Sequence, residues 1–208
     1  MASDIAQQSL DTAVVSDLIP TQVTVGMREV DYRRRRLREK SAVDADRYLR
    51  THRIPIVLGP SARHYLIDRH HLARALREEG VSETPVAIVA DMRDLGFDRF
   101  WAALERHNWT HPFDSEGRRC SYRDMPVSVD QLVDDPFRSL AGVVKRAGGY
   151  AKDKSPFSEF RWANFLRGRI ARELVDNDFD RAAAIAMTLA RGPDASGLPG
   201  WREPACPG

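Results

Sequence analysis

An α/β domain with a helical second half is the architecture the sequence predicts, and three observations carry it. Short β-branched or aromatic runs at 14–20, 54–58, 65–67 and 84–90 have the length and composition of strands. Leu-, Ala- and Arg-rich stretches with helical character alternate with them. After about residue 115 the helical pattern dominates.

Length and composition are consistent with this picture. A chain of 208 residues can bury a sizeable core without staples. One unit is expected over 14–191, an α/β core to about 115 and a helical extension to 191, between flexible ends at 1–13 and 192–208. Charged residues make up 30% of the chain, yet the formal net charge is only +2. This excludes a polybasic nucleic-acid tail and an acidic disordered chain. The two cysteines, Cys120 and Cys206, are too few and too far apart for a disulfide scaffold or a zinc cluster. With no apolar run of membrane-spanning length and no leader pattern, a cytoplasmic protein without a membrane partner is expected.

In chain order, 14–20 reads as a strand stopped by Pro20, and 26–40 as a helix. Within that helix Arg33-Arg34-Arg35-Arg36 advances about 100° per residue, so the run cannot lie on one solvated face. Either the arginine stems snorkel, or one of them closes an anion pocket. Arg28 and Glu29 sit at the helix start, where a carboxylate is favoured by the dipole; Glu29 is either a good first-turn residue or a catalytic acid. A second helix is expected over 44–52, with Val43, Tyr48 and Leu49 inward. The strand at 54–58 carries Pro55 at its second position, the mark of an edge or of a strand's beginning. Gly80 ends the next helix, the strand 84–90 follows, and 98–107 is helical with Phe100, Trp101 and Leu104. His107 and His111 lack the neighbouring acid and helical setting of a zinc motif. A helix over 129–146 is interrupted at Asp134-Asp135-Pro136. Phe157, Phe160 and Trp162 are expected to pack while Glu159, Arg161 and Asn164 stay free. A final helix over 178–191 buries Ile185, Met187 and Leu189.

The stretch richest in chemistry is His64-Tyr65-Leu66-Ile67-Asp68-Arg69-His70-His71, where a strand runs into a helix. Backbone N–H groups at such a joint favour an anion, and Arg69, His70, His71 and Arg74 add cationic or donor groups. Asp68 can then take a proton or hold a metal ion. The bland alternative is that the two histidines merely cap the helix and pack.

Leu18-Ile19-Pro20-Thr21-Gln22-Val23-Thr24-Val25-Gly26-Met27-Arg28-Glu29-Val30 and Leu66-Ile67-Asp68-Arg69-His70-His71, together with Phe157-Ser158-Glu159-Phe160-Arg161-Trp162-Ala163-Asn164-Phe165-Leu166-Arg167, resemble the ParB/sulfiredoxin superfamily. The resemblance is closest to its stand-alone ParB-like nuclease branch. It implies a small mixed sheet with flanking helices and a phosphate site at the strand-to-helix joint. The superfamily's free-serine kinases carry Asp-Gly-His-His-Arg at that joint and a separate upstream glutamate. Asp68, His70 and His71 are similar to that pattern, with Glu29 as the upstream acid, while Arg69 replaces the glycine and Leu72 the arginine. Arg74, one turn on, supplies a replacement charge. No cysteine lies at the joint, so sulfiredoxin chemistry is not expected, and Cys120 reads as an ordinary thiol.

The resemblance thus implies a nucleotide-dependent phosphotransferase for a small hydroxylated metabolite such as an amino acid. Its cofactors would be ATP or ADP and Mg²⁺, the metal held largely by the phosphates rather than by a protein cage. Glu29, Asp68 and His70 take the catalytic roles in this expectation; Arg28, Arg69, His71 and Arg74 hold phosphate or ligand. The alternatives are a ParB-like DNA-binding protein or nuclease, not favoured by the low net charge, and a non-catalytic nucleotide-binding domain.

Overall fold

The structure, a computed structural model, describes residues 12–203. The elements follow one another as β1 (Thr12–Val14), β2 (Leu18–Pro20), β3 (Thr24–Val25), α1 (Met27–Arg38), α2 (Ala42–Thr51), β4 (Ile54–Leu58), β5 (His64–Leu66), α3 (His70–Glu78), β6 (Glu83–Asp91) and α4 (Phe97–Arg106). The second half contributes β7 (Val133–Asp134), α5 (Pro136–Arg146), α6 (Ser158–Arg167), α7 (Arg172–Asn177) and α8 (Phe179–Arg191). Five strands form a mixed sheet in the order β1-β6-β4-β5-β2, and β3 pairs with β7 in a separate parallel ladder. The expected mixed α/β architecture is therefore present, with more strands than the apolar runs suggest.

Side-chain alternation explains why the sheet is covered on both faces. Leu18, Ile56 and Leu66 join α1 and α3 through Val30, Leu72 and Leu76 in one core. Their neighbours Ile19, Val57 and Tyr65 turn the other way and pack with Phe100, Trp101 and Leu104 of α4. A third core is built from α5, α6 and α8 around Phe137, Trp162 and Phe179.

Several boundaries differ from the sequence reading. The 14–20 strand is split by a 3-10 turn at Val15–Asp17. Pro55 is not on an edge: β4 lies between β6 and β5, and proline is tolerated because it sits at the beginning of the strand. Val43 points to solvent, 68% exposed. The predicted break before Pro136 is real, and Asp135 caps α5 by accepting from the Phe137 N–H at 3.0 Å. In α8 the buried stripe is Ala182, Ala186 and Ala190 while Ile185 is 37% exposed, because small side chains allow close approach to α5.

The end of the domain lies further along than residue 191. Trp162 Nε1 donates to the Pro199 carbonyl at 2.8 Å and Ala151 N–H to that of Gly200 at 2.7 Å. Residues 192–201 therefore pack on the helical layer, with Ala195, Leu198 and Trp201 joining its core, drawn by the hydrogen-bonding need of a buried indole. Residues 1–11 and 204–208, including Cys206, lie outside the described residues.

One glycine fixes the distance between the two halves. A Cβ at Gly26, which precedes α1, would lie 2.6 Å from the Ser139 backbone nitrogen of α5. Gly26→Ala is expected to cost about 1–3 kcal/mol through overpacking, measurable as a lower urea midpoint at constant m. An unchanged midpoint would show that α1 and α5 separate freely.

Candidate functional site

The strand-to-helix joint forms as the sequence suggests, but its side chains divide into two groups. His70 and His71 open α3 and are both buried. His70 Nε2 accepts from the Thr21 N–H at 3.1 Å, and His71 Nε2 accepts from the Gly26 N–H at 3.0 Å. Each ring is therefore held as the neutral tautomer protonated on Nδ1. Burial, reinforced by the positive charge of Arg138, pushes His70 down to about 3 and His71 well below the usual histidine range. The expectation that both rings face an incoming phosphate is corrected by this geometry. They clamp the segment 21–26, whose backbone needs acceptors because it is buried along its whole length.

Arg74 is likewise engaged. Its guanidinium donates to Glu78 at 2.7 Å and to the carbonyls of Val129 and Asp130 at 3.0 and 2.7 Å. It ties α3 to the loop before β7, so it does not replace the charge missing at Leu72.

Asp68 is exposed and Arg69 half-buried. Arg69 adopts a left-handed conformation, φ 65° and ψ 29°, one that glycine takes up far more readily than a residue with a Cβ. Asp68 Oδ1 accepts from the Arg69 N–H at 2.6 Å, and no side chain caps the α3 N-terminus. This pairs a carboxylate with a helix end that can receive an anion.

Glu29 and Arg28 sit apart from Asp68, on the side of α1 that meets the helical layer. Glu29 is ion-paired with Arg146 of α5. The Arg28 guanidinium lies 3.8 Å above the Phe179 ring, and the Arg28 backbone N–H donates to Ser139 Oγ at 3.2 Å. Among the described residues no hydrogen bond or ion pair joins Glu29 or Arg28 to Asp68; Glu29 is instead one of several charged groups around Arg138.

Arg138 is the residue that sequence reasoning missed. Only 4% exposed, it lies with its guanidinium 3.5 Å from the Phe160 ring centre and Nη1 3.5 Å from the Thr24 carbonyl, while Nε has no partner. Burial works against its charge, while Glu159 and Asp135 support it. Glu159, expected to be free, is bound by Lys145 Nζ at 2.6 Å. Burial opposes its ionisation, but Arg138 and the other cationic neighbours prevail and hold its carboxyl at about 2. Asp135 pairs with Arg167 at 2.5 Å. His111 stacks on Phe160 with ring centres 3.6 Å apart, its Nδ1 unpartnered, and burial with the fields of Arg138 and Arg167 pushes it to about 3.

The visible sequence signal for this cluster was the quoted run Phe157 to Arg167, which supplies Glu159, Phe160 and Arg167. Little local marks Arg138, because apart from Asp135 its partners Thr24, Glu29, Glu159 and Phe160 come from β3, α1 and α6. Among the described residues no three His, Cys, Asp or Glu side chains converge as a metal cage. No helix there is long and apolar enough to cross a membrane.

Comparison with known proteins places this arrangement. The family model described as "Putative ParB-like nuclease" matches residues 12–168, which run from β1 through α6. The crystal structure of protein Atu1540 from Agrobacterium tumefaciens is similar over 93% of this chain and 96% of that one, with 45% identity and a TM-score of 0.87. No curated protein matches. With the match spanning the joint, the clamped segment and the buried cluster alike, the chain belongs to the ParB-like nuclease family.

Proposed function

We propose that the chain acts on phosphate esters of nucleic acid, as a ParB-like DNA-binding protein or nuclease. The observation that carries this reading is the family match, which includes the whole joint. In this reading the uncapped start of α3 and Arg69 receive a backbone phosphate. Asp68 orients or deprotonates the water that attacks phosphorus, while the P–O bond to the leaving sugar oxygen breaks and that oxygen takes a proton from solvent; were Mg²⁺ required, Asp68 would be the residue to hold it and the ion would supply Lewis-acid stabilisation. Glu29 is the weaker candidate for a base, since its carboxylate is held by Arg146. His70 and His71 act by fixing the loop rather than by touching the ester.

Labelled single- and double-stranded oligonucleotides test this at low salt, with Mg²⁺ and with chelator, by retardation and by cleavage. Asp68→Asn is expected to lower cleavage by about a hundredfold, the smaller end of a general-base contribution, while retardation persists. Failure to retard or cut either substrate would overturn the reading.

A second reading keeps a nucleotide and a small hydroxylated metabolite as substrates, with ATP or ADP and Mg²⁺ as cofactors. The observation that favours it is the left-handed Arg69 backbone, a turn of the kind glycine adopts most readily, at the position of the glycine in the kinase motif. Its test is new phosphorylated product from labelled nucleotide, Mg²⁺ and pooled amino acids, lost in Asp68→Asn.

A further inference from the structure

The arginine run of α1 does not behave uniformly. Arg34 is neutralised by Asp31, Glu78 and Glu79, and Arg38 by Glu79. Arg33 takes the opposite side and lines a cavity of about 240 Å³ between α1 and α2 with Tyr32, Arg36, Leu37, Lys40 and Tyr48. No carboxylate is among these lining residues. Arg33 Nε is shielded from water with no hydrogen-bond partner, and Lys40 Nζ stands 5.2 Å from the centre of the Tyr48 ring. Arg36 has only a distant contact with Glu39, at 3.7 Å. Tyr32 keeps 37% of its surface exposed at the mouth.

From these residues the geometry points to a nucleotide-unit site in this cavity, separate from the α3 joint and independent of the function proposed above. The phosphate would sit among Arg33, Arg36 and Lys40, and the base against the tyrosine rings. Three cations around one cavity exceed the roughly half negative charge of the α1 C-terminus, so the site favours an anion. Phosphate oxygens would take charge-assisted hydrogen bonds from the guanidinium and ammonium N–H groups that line the cavity, not from the sealed Arg33 Nε. Tyr32 already carries the Arg146 guanidinium 4.5 Å from its ring centre and Tyr48 stacks on His52 at 4.1 Å, so a base would use the remaining ring surface, where stacking tolerates any π face. At about 240 Å³ the cavity has room for no more than one nucleotide unit, either free or within a strand.

The full chain is titrated with AMP, inorganic phosphate, adenosine and an oligothymidylate at low salt. AMP is expected to bind more tightly than phosphate or adenosine, because both halves of the cavity are used. The Arg33→Gln/Arg36→Gln pair should weaken AMP binding by at least about tenfold, or 1.4 kcal/mol. Arg35→Gln, an exposed arginine outside the cavity, and Asp68→Asn should leave it intact. If the oligonucleotide binds and depends on the same arginines, the unit belongs to a strand; if AMP alone does, it is free. Should no probe bind, or the paired variant bind as the parent does, the site is refuted, while the cleavage assay of Asp68 stands unaffected.

Discussion

Arg138→Met is expected to destabilise the fold by about 3 kcal/mol, the lower end for removing one partner of a buried charged group. The side chain is a near-fully buried cation whose field reaches Glu159, Asp135 and Glu29. Removing it leaves those carboxylates with less positive charge and takes away the guanidinium seated on Phe160. The cost stays at the low end because Glu159 retains Lys145 and Asp135 retains Arg167. Methionine fills much of the volume, so the measured change reports charge and hydrogen bonding more than a cavity. Urea unfolding of parent and variant at neutral pH gives the difference through the midpoint. An unchanged midpoint would mean that the cluster is no stabilising centre.

Acidification should have a comparably large effect. The His70 ring sits at about 3 when folded, and His71 well below its ordinary value, against about 6.5 in an unfolded chain. Burial is the main cause for each, followed by repulsion from Arg138. Below pH 6.5 the unfolded state therefore binds protons that the folded state refuses. The stability these rings contribute is complete above pH 6.5 and declines as pH falls towards 3. Each ring contributes a slope of up to about 1.4 kcal/mol per pH unit, so at pH 5 the loss is about 2 kcal/mol per histidine. Glu159, held at about 2 by its cationic neighbours, acts in the same direction only below its unfolded value near 4.5. His71→Gln keeps an acceptor for the Gly26 N–H but does not titrate, and should flatten the profile between pH 8 and pH 5. A profile equally steep in that variant would show that His71 is not a source of the acid sensitivity.

Much of the fold was legible because its signals are local. Strand β4, the break before Pro136 and the Gly80 stop follow from β-branching, capping and the special backbone of glycine and proline. The joint at Asp68 was legible for the same reason, as an apolar run meeting a helical one. What could not be read was direction. Nothing in His70-His71 tells that both rings turn inward, since their partners at Thr21 and Gly26 lie more than forty positions earlier. Arg138 stayed hidden because a lone arginine in an apolar helix looks like a solvated residue until α6 covers it. In α8 larger apolar residues drew attention, whereas the alanine stripe made the contact, because close helix approach selects for small volume.

The short β3–β7 ladder places a constraint on biosynthesis. It is continued by the Asp134 carboxylate, which accepts from the Met27 N–H at the first turn of α1, a partner 107 positions away in sequence. A chain leaving the ribosome from its N-terminal end presents the first turn of α1 long before Asp134 has been made. That turn cannot be satisfied during this interval by its native partner, and closing so long a loop carries an entropic cost when it comes. The sheet and α3 can assemble beforehand, but the seam joining them to the helical layer has to wait for α5.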